Sequence, residues 1–152
     1  MISHLNKKNK PTIVDISSKK ITNRMAIAQG IVEFSKSTYK KIESLKTKKG
    51  EIKSIAIIAG ILGAKKTSDI IPLCHNIEIE NIDIEPIRKI SSLKVTSSIR
   101  SRGKTGVEME ALNAVSVACL TIYDMCKSLD KKIVIKDIRL IKKRGGNSDF
   151  SN

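Results

Sequence analysis

Tryptophan is absent from this chain, and two tyrosines and two phenylalanines leave aromatics at 3% of 152 residues. Modules that hold single-stranded nucleic acid stack bases on exposed aromatic rings, and that device has almost no material here. Cysteine is scarce too. Cys74, Cys119 and Cys126 are odd in number and contain no Cys-x-x-Cys pair, so neither a disulfide framework nor a structural zinc site is expected. Cys119 and Cys126 lie seven apart on one predicted helix and read as buried thiols. No apolar run approaches the roughly 18 residues of a membrane span, and the first ten residues lack the apolar stretch of a secretory leader. The expected compartment is the cytoplasm, with no membrane partner.

Positive charge is abundant: 29 Lys and Arg face 15 Asp and Glu, for a net charge of +14. Such an excess fits an anionic partner, either nucleic acid or a phosphorylated small molecule. It fits compositional drift equally well, because the cations are mostly lysine in a chain rich in isoleucine and asparagine. Length predicts one domain with a real core, spanning 13–144. A basic arm (1–12) carrying Lys7, Lys8 and Lys10 precedes it, and a loose tail (145–152) follows from Gly145-Gly146.

Periodicity predicts a strand over Ile21–Phe34 and a short helix over Ser35–Leu45. A second helix, Glu51–Lys66, holds Ala56, Ala59, Gly60, Gly63 and Ala64, small residues that let a neighbour approach its backbone. Ile77–Ile84 alternates as a strand, with a slip at Glu80-Asn81 that suggests a bulge. Leu93, Val95 and Ile99 mark its hairpin partner across Glu85–Ser92. Thr105-Gly106-Val107-Glu108 has the form of a capping box opening a helix that runs to about Leu129. Ile133, Ile135, Ile138 and Leu140 give a last strand with another slip. The order predicts an α+β, ferredoxin-like antiparallel sheet with helices packed on one face.

That long helix is apolar almost all round, yet Glu110, Asn113, Thr121 and Asp124 share one narrow stripe. The capping box accounts for Glu108. Glu110, in the first turns, suits the helix dipole and suits a site equally well. Asp124 opposes the dipole near the C-terminus, at about 0.3–1 kcal/mol, so stability would not have placed it there. Lys127, one turn later, can pair with it. Leu73-Cys74-His75 follows Pro72; adjacent ligands on an extended chain point to opposite sides, so no metal site is expected. His75 reads either as a hydrogen-bonding or acid–base group or as an ordinary loop histidine. Lys48-Lys49-Gly50 precedes a helix, where amides and ammonium groups can cradle phosphate; a solvated loop is the competing reading. Glu110 and Asp124 are fourteen residues apart, about 21 Å along a helix. One small substrate can reach both only if a second chain completes the site.

Ile71-Pro72-Leu73-Cys74-His75, Thr105-Gly106-Val107-Glu108-Met109-Glu110-Ala111-Leu112 and Leu120-Thr121-Ile122-Tyr123-Asp124-Met125-Cys126-Lys127 resemble the MoaC family of molybdenum cofactor biosynthesis. Lys49-Gly50-Glu51, Ile58-Ala59-Gly60-Ile61 and Ala64-Lys65 extend the resemblance, which covers nearly the whole chain. It implies a cyclic pyranopterin monophosphate synthase, a lyase. The substrate would be a 3′,8-cyclised dihydroguanosine triphosphate, and diphosphate would be released. It also implies a homohexamer, a trimer of dimers, with active sites between subunits. Residue by residue, it implies catalytic roles for Asp124, Lys49 and Lys127. Leu73, Cys74, His75, Met109 and Glu110 match its substrate-binding segments, and Arg24, Lys65 and Lys143 its basic positions near the phosphates. No metal ligand and no cofactor is implied, although Mg²⁺ can accompany a triphosphate. Asn76 departs from a usual proline, Glu51 from a usual aspartate and Asn147 from a usual lysine; a glycine is also missing before Asp149.

An RNA-recognition module shares this element order and suits the charge. Leu93–Arg100, however, has no aromatic residue on which a base could stack, so nucleic acid is not expected as a partner. A family member that had lost activity is countered by the presence of Lys49, Asp124 and Lys127.

Overall fold

The structure, a computed structural model, describes residues 4–6, 8–42, 46–48 and 50–152. Four long strands, β1 (Thr22–Glu33), β4 (Ile79–Lys89), β5 (Ser92–Gly103) and β6 (Val134–Arg144), form one antiparallel sheet that a short β7 (Phe150–Ser151) extends. The order is β4-β5-β1-β6-β7, the ferredoxin-like arrangement that the sequence predicts. Helices α1 (Lys36–Lys41), α2 (Ile52–Lys65), α3 (Thr67–Ile70) and α4 (Glu108–Cys126) complete the main fold. Lys46–Thr47 (β2) and Gly50–Glu51 (β3) pair as a small hairpin ahead of α2.

Alternation along β1 sets the layers. Ala26, Ala28 and Val32 are fully buried, and Gly30, in phase with them, is the point of closest approach to α4. A Cβ on Gly30 would lie 2.6 Å from Val115 Cγ1 and 3.0 Å from Cys119 Sγ. The small residues of α2 act as the sequence predicts. A Cβ on Gly60 would stand 2.5 Å from Ile84 Cδ1 and 3.0 Å from the Ala114 carbonyl; one on Gly63 would meet Val117 at 2.8 Å. Asn113 Nδ2 donates to the Gly63 carbonyl (2.8 Å) and to Thr67 Oγ1 (3.2 Å). Later residues of α2 therefore meet earlier residues of α4, and the helices run antiparallel.

The predicted slips are real. The β4–β5 register passes from Ile79↔Ser101 to Asn81↔Arg100, leaving Glu80 as the bulged residue. Strand β6 shifts twice against β1, with Asp137 in the left-handed region (φ 54°). Helix α1 starts as expected, with Ser35 accepting from the Thr38 amide; its predicted end at Leu45 lies outside the described residues.

Four expectations change. The β4–β5 hairpin turns only at Ile90–Ser91, with Ser91 at φ 57°, because paired strand continues to Lys89. No capping box forms: Val107 is the N-cap of α4, with no side-chain bond, and the Glu108 carboxylate turns to Lys143 instead. Helix α4 ends at Cys126 rather than near Leu129. The chain tightens there as the Leu129 amide bonds the Cys126 carbonyl at 2.8 Å, and Asp130 turns back to accept from the Ser35 and Lys132 amides. Finally, the tail beyond Gly145 is not wholly loose, since Lys143↔Phe150 and Lys142↔Ser151 pair.

Alanine in place of an exposed helical glycine stabilises by about 0.5–1 kcal/mol. Gly60→Ala should reverse that sign and destabilise by about 1–3 kcal/mol through overpacking. Urea denaturation of the variant checks this, and a gain in stability would mean that α2 and α4 pack less closely than described.

Candidate active site

The N-terminus of α4, the loop before it, Leu73–His75 and the ends of β1 and β6 meet at one end of the sheet. They frame a cleft in two connected halves. One half, about 370 Å³, is lined by Leu73, Cys74, His75, Met109 and Glu110, with Val14 from the N-terminal segment across from them. The other, about 220 Å³, is basic, lined by Arg24, Lys104, Lys143 and Arg144 together with Asn147. Lys19, Thr105, Gly106 and Glu108 line both and form the seam.

In the first half, Glu110 is the unusual group. It is 3% exposed, and its Oε2 has no hydrogen-bond partner. Burial pushes its carboxyl above the ordinary range; its own backbone N–H works against the rise, and the Glu108 charge adds to it. A carboxyl so placed favours the protonated form, which donates one hydrogen bond and accepts others. Burial also raises the Cys74 thiol, with the Glu110 charge as the smaller cause. A thiol shifted in that direction is a poorer source of thiolate. His75 Nε2 lies 2.8 Å from the Val14 carbonyl. A carbonyl only accepts, so Nε2 carries the hydrogen and, in the neutral ring, Nδ1 remains an acceptor. Met109 stands partly exposed.

In the basic half, Arg24 is nearly buried and bonds the Gly103 carbonyl through Nε (3.2 Å) and the Lys104 carbonyl through Nη2 (3.1 Å). It thereby fixes the loop that leads into α4. Lys104 Nζ reaches the Ser17 carbonyl at 2.6 Å, drawing the N-terminal segment over the seam. Gly145 takes φ +85°, and a Cβ there would collide with the Asn23 backbone. Its N–H donates to Asp149 at 3.0 Å, so the turn carrying Asn147 stays against the cleft.

The remaining expected residues lie elsewhere. Asp124 and Lys127 pair with each other at 2.8 Å, both more than half exposed, and the Asp124 hydrogen bond raises the Lys127 ammonium. They sit at the far end of α4, about 21 Å from Glu110 by helical rise. The antiparallel packing brings the first turn of α2 to that same end. Lys65 is exposed on the last turn of α2 and lines neither half of the cleft. Lys49 lies outside the described residues. Of the two readings left open for Lys48-Lys49-Gly50, the phosphate cradle finds two of its amides already engaged: Glu51 accepts from the Lys53 and Ser54 amides at 3.1 and 2.6 Å.

Sequence reasoning missed Lys19, Lys104 and Arg144, which nothing distinguishes in the sequence from the other cations. It misread Glu108, whose spacing from Thr105 suggested a cap. Among the described residues, no three His, Cys, Asp or Glu side chains converge as metal ligands would.

The MoaC family model matches residues 13–146. The chain is 50% identical to the cyclic pyranopterin monophosphate synthase of Peptoclostridium acidaminophilum over 146 residues, 96% of this chain and 93% of that one. It is 49% identical to the synthase of that name from Lysinibacillus sphaericus, over 96% of this chain and 94% of the relative. A third, from Helicobacter hepaticus, is also 49% identical, over 98% and 96%. A family match of that extent, borne by relatives close to half identical along almost their whole length, shows that the chain belongs to the MoaC family.

Proposed function

We propose that the chain is a cyclic pyranopterin monophosphate synthase. It takes (8S)-3′,8-cyclo-7,8-dihydroguanosine 5′-triphosphate to cyclic pyranopterin monophosphate and releases diphosphate. The observation that carries this reading is one cleft with unlike halves: one holding His75 and a buried Glu110 whose Oε2 has no partner, joined to a half lined by cations. A purine fused to a sugar and ending in a triphosphate has the same division.

The purine edge fits the first half, where the buried Glu110 carboxyl and the His75 ring offer hydrogen-bonding groups in fixed directions. The phosphates fit the second half, where Arg24, Lys143, Lys104 and Arg144 oppose the charge that grows on departing diphosphate. Ring opening and pterin closure need proton transfers, and a positioned acid–base group contributes roughly 10²–10⁴ in rate. Asp124, Lys127 and Lys49 take that part in this reading, and they enter from a second chain. A dyad across α4 would turn the Asp124 end of one copy onto the Glu110 end of another. Ile58, Leu62 and Leu120, each more than half exposed on α2 and α4, offer an apolar surface for such a contact. The assembly in this reading is the family's homohexamer, working in the cytoplasm without membrane or nucleic acid. No helix among the described residues is long and apolar enough to cross a membrane.

Purified protein given the cyclised triphosphate should form pterin and diphosphate, and Asp124→Asn should lose about 10²–10⁴ of kcat. Retained turnover in that variant would remove Asp124 from the chemistry.

Two inactive chains test the shared site. Asp124→Asn and Glu110→Ala, mixed in equal amounts and reassembled, should regain roughly a quarter of native activity, because random pairing leaves that share of two-chain sites intact. A mixture as silent as its parts would put both residues in one subunit's site.

Glu110 also links function to pH. Its folded pKa is raised, so the stability it contributes is full below the ordinary glutamate value of 4.5 and is lost as pH rises through the folded value. Glu110→Gln should therefore unfold at higher denaturant than the native chain at pH 8, by about 1–3 kcal/mol. The gap should close as the pH falls to 4.5. A variant less stable than native at pH 8 would show that the ionised carboxylate is satisfied in the fold.

A further inference from the structure

Glu108 has no part in the reading above, and its setting is hard to explain by stability. Helix dipole energy accounts for an acid in this turn, but not for one aimed into a half-cleft lined by Arg24, Lys104, Lys143 and Arg144. A carboxylate there opposes the binding of any phosphorylated ligand.

Two contacts hold it in place. Glu108 Oε1 lies 3.3 Å from Lys143 Nζ, and each side chain is about one-third exposed (31% and 32%). The carboxylate also rests on Gly106, where an added Cβ would stand 2.7 Å from Glu108 Cδ and 2.9 Å from Oε1. Gly106 does not adopt the left-handed backbone that Gly50 and Gly145 do. Its missing side chain therefore serves space rather than conformation, and the space is filled by this carboxylate.

The seam position gives the pair a task. Base, sugar, α-phosphate and diphosphate follow one another in the substrate, and the cleft runs in the same order from Glu110 to Arg144. Sugar and α-phosphate then fall at the seam, where Glu108 lines both halves. We propose that Glu108 is a positioning residue: seated on Gly106, it holds the Lys143 ammonium at the seam, beside the α-phosphate, and keeps it from moving out onto the departing diphosphate. Lys143 alone has a long flexible stem and would be drawn to the most negative part of the ligand. With Glu108 as anchor, its charge stays where the phosphorus–oxygen bonds change. The proposal rests on the synthase reading.

Glu108→Gln and Gly106→Ala test it from two directions. The first removes the charge, and the second evicts the carboxylate while leaving it ionised. Each should lower kcat about 10- to 100-fold, the scale expected of a misplaced group, and the double variant should be no worse than the poorer single. Inorganic diphosphate, measured by calorimetry, should bind Glu108→Gln about two- to fivefold more tightly than native protein, because Lys143 is released and a repelling charge is gone. A role confined to helix stability would lower Tm and leave both readouts at native values. Simple repulsion would tighten diphosphate without a fall in kcat. Either result overturns the proposal, as would single losses that multiply in the double variant. If the native protein forms no pterin at all, the synthase reading fails. If the native protein turns over and Glu108→Gln keeps kcat within about twofold, only the anchor role fails.

Discussion

Everything at the cleft depends on how closely α4 is held against its neighbours. Gly30 beneath it and Gly60 beside it leave no room for side chains; Val115, Ala118 and Cys119 fill that room and are fully buried. With those contacts fixed, the angular position of the helix is fixed, and so is the direction of every side chain in its first turns. Glu110 is thereby turned inward among apolar neighbours and Glu108 outward to the seam. Rotation by a fraction of a turn would exchange a desolvated carboxyl, its pKa raised by burial, for a solvated one.

Two electrostatic regimes result within a few residues. At Glu110, desolvation dominates and favours the neutral acid. In the neighbouring half, several cations converge and favour any anion. Arg24 is engaged largely with backbone: its bonds to the Gly103 and Lys104 carbonyls pin the loop that leads to the seam between the two halves. Arg24, read as a phosphate residue from its match to the family, is also the structural brace of the site.

Regular alternation and small-residue spacing made the strands, the bulge at Glu80, the order of elements and the close α2–α4 packing legible. Leu73, Cys74, His75, Met109 and Glu110, singled out in the sequence by polar groups among apolar ones and by the family resemblance, come together in one cleft. Glu108 was misread because a local explanation, the capping box, fits the spacing of Thr105 and Glu108, and only the fold reveals Lys143 as competitor across 35 residues of chain. Lys19, Lys104 and Arg144 were hidden for a related reason. In a chain of net charge +14, a cation carries no signal until the fold gathers it with others. Glu51, by contrast, shows that the departure from aspartate is absorbed locally, since its longer side chain still reaches the Lys53 and Ser54 amides.

Glu110 and Asp124 stand at opposite ends of one helix whose inner face, from Ala111 to Ile122, is fully buried. A rigid rod of about 21 Å cannot bend its two ends onto one molecule of substrate; in the function proposed above, each end serves a different cleft. In the proposed assembly, half-sites at opposite ends of one rigid element would keep their spacing as a second copy docks, so that one dyad interface would complete two sites at once by symmetry. In the single chain, Asp124 and Lys127 pair with each other. Both groups are more than half exposed at 2.8 Å, a surface pair worth about 0–1 kcal/mol. The pair holds the two side chains against each other one turn apart at the end of α4. In this reading the pair is the resting state of a half-site, and its small contribution to stability is what leaves it available for chemistry.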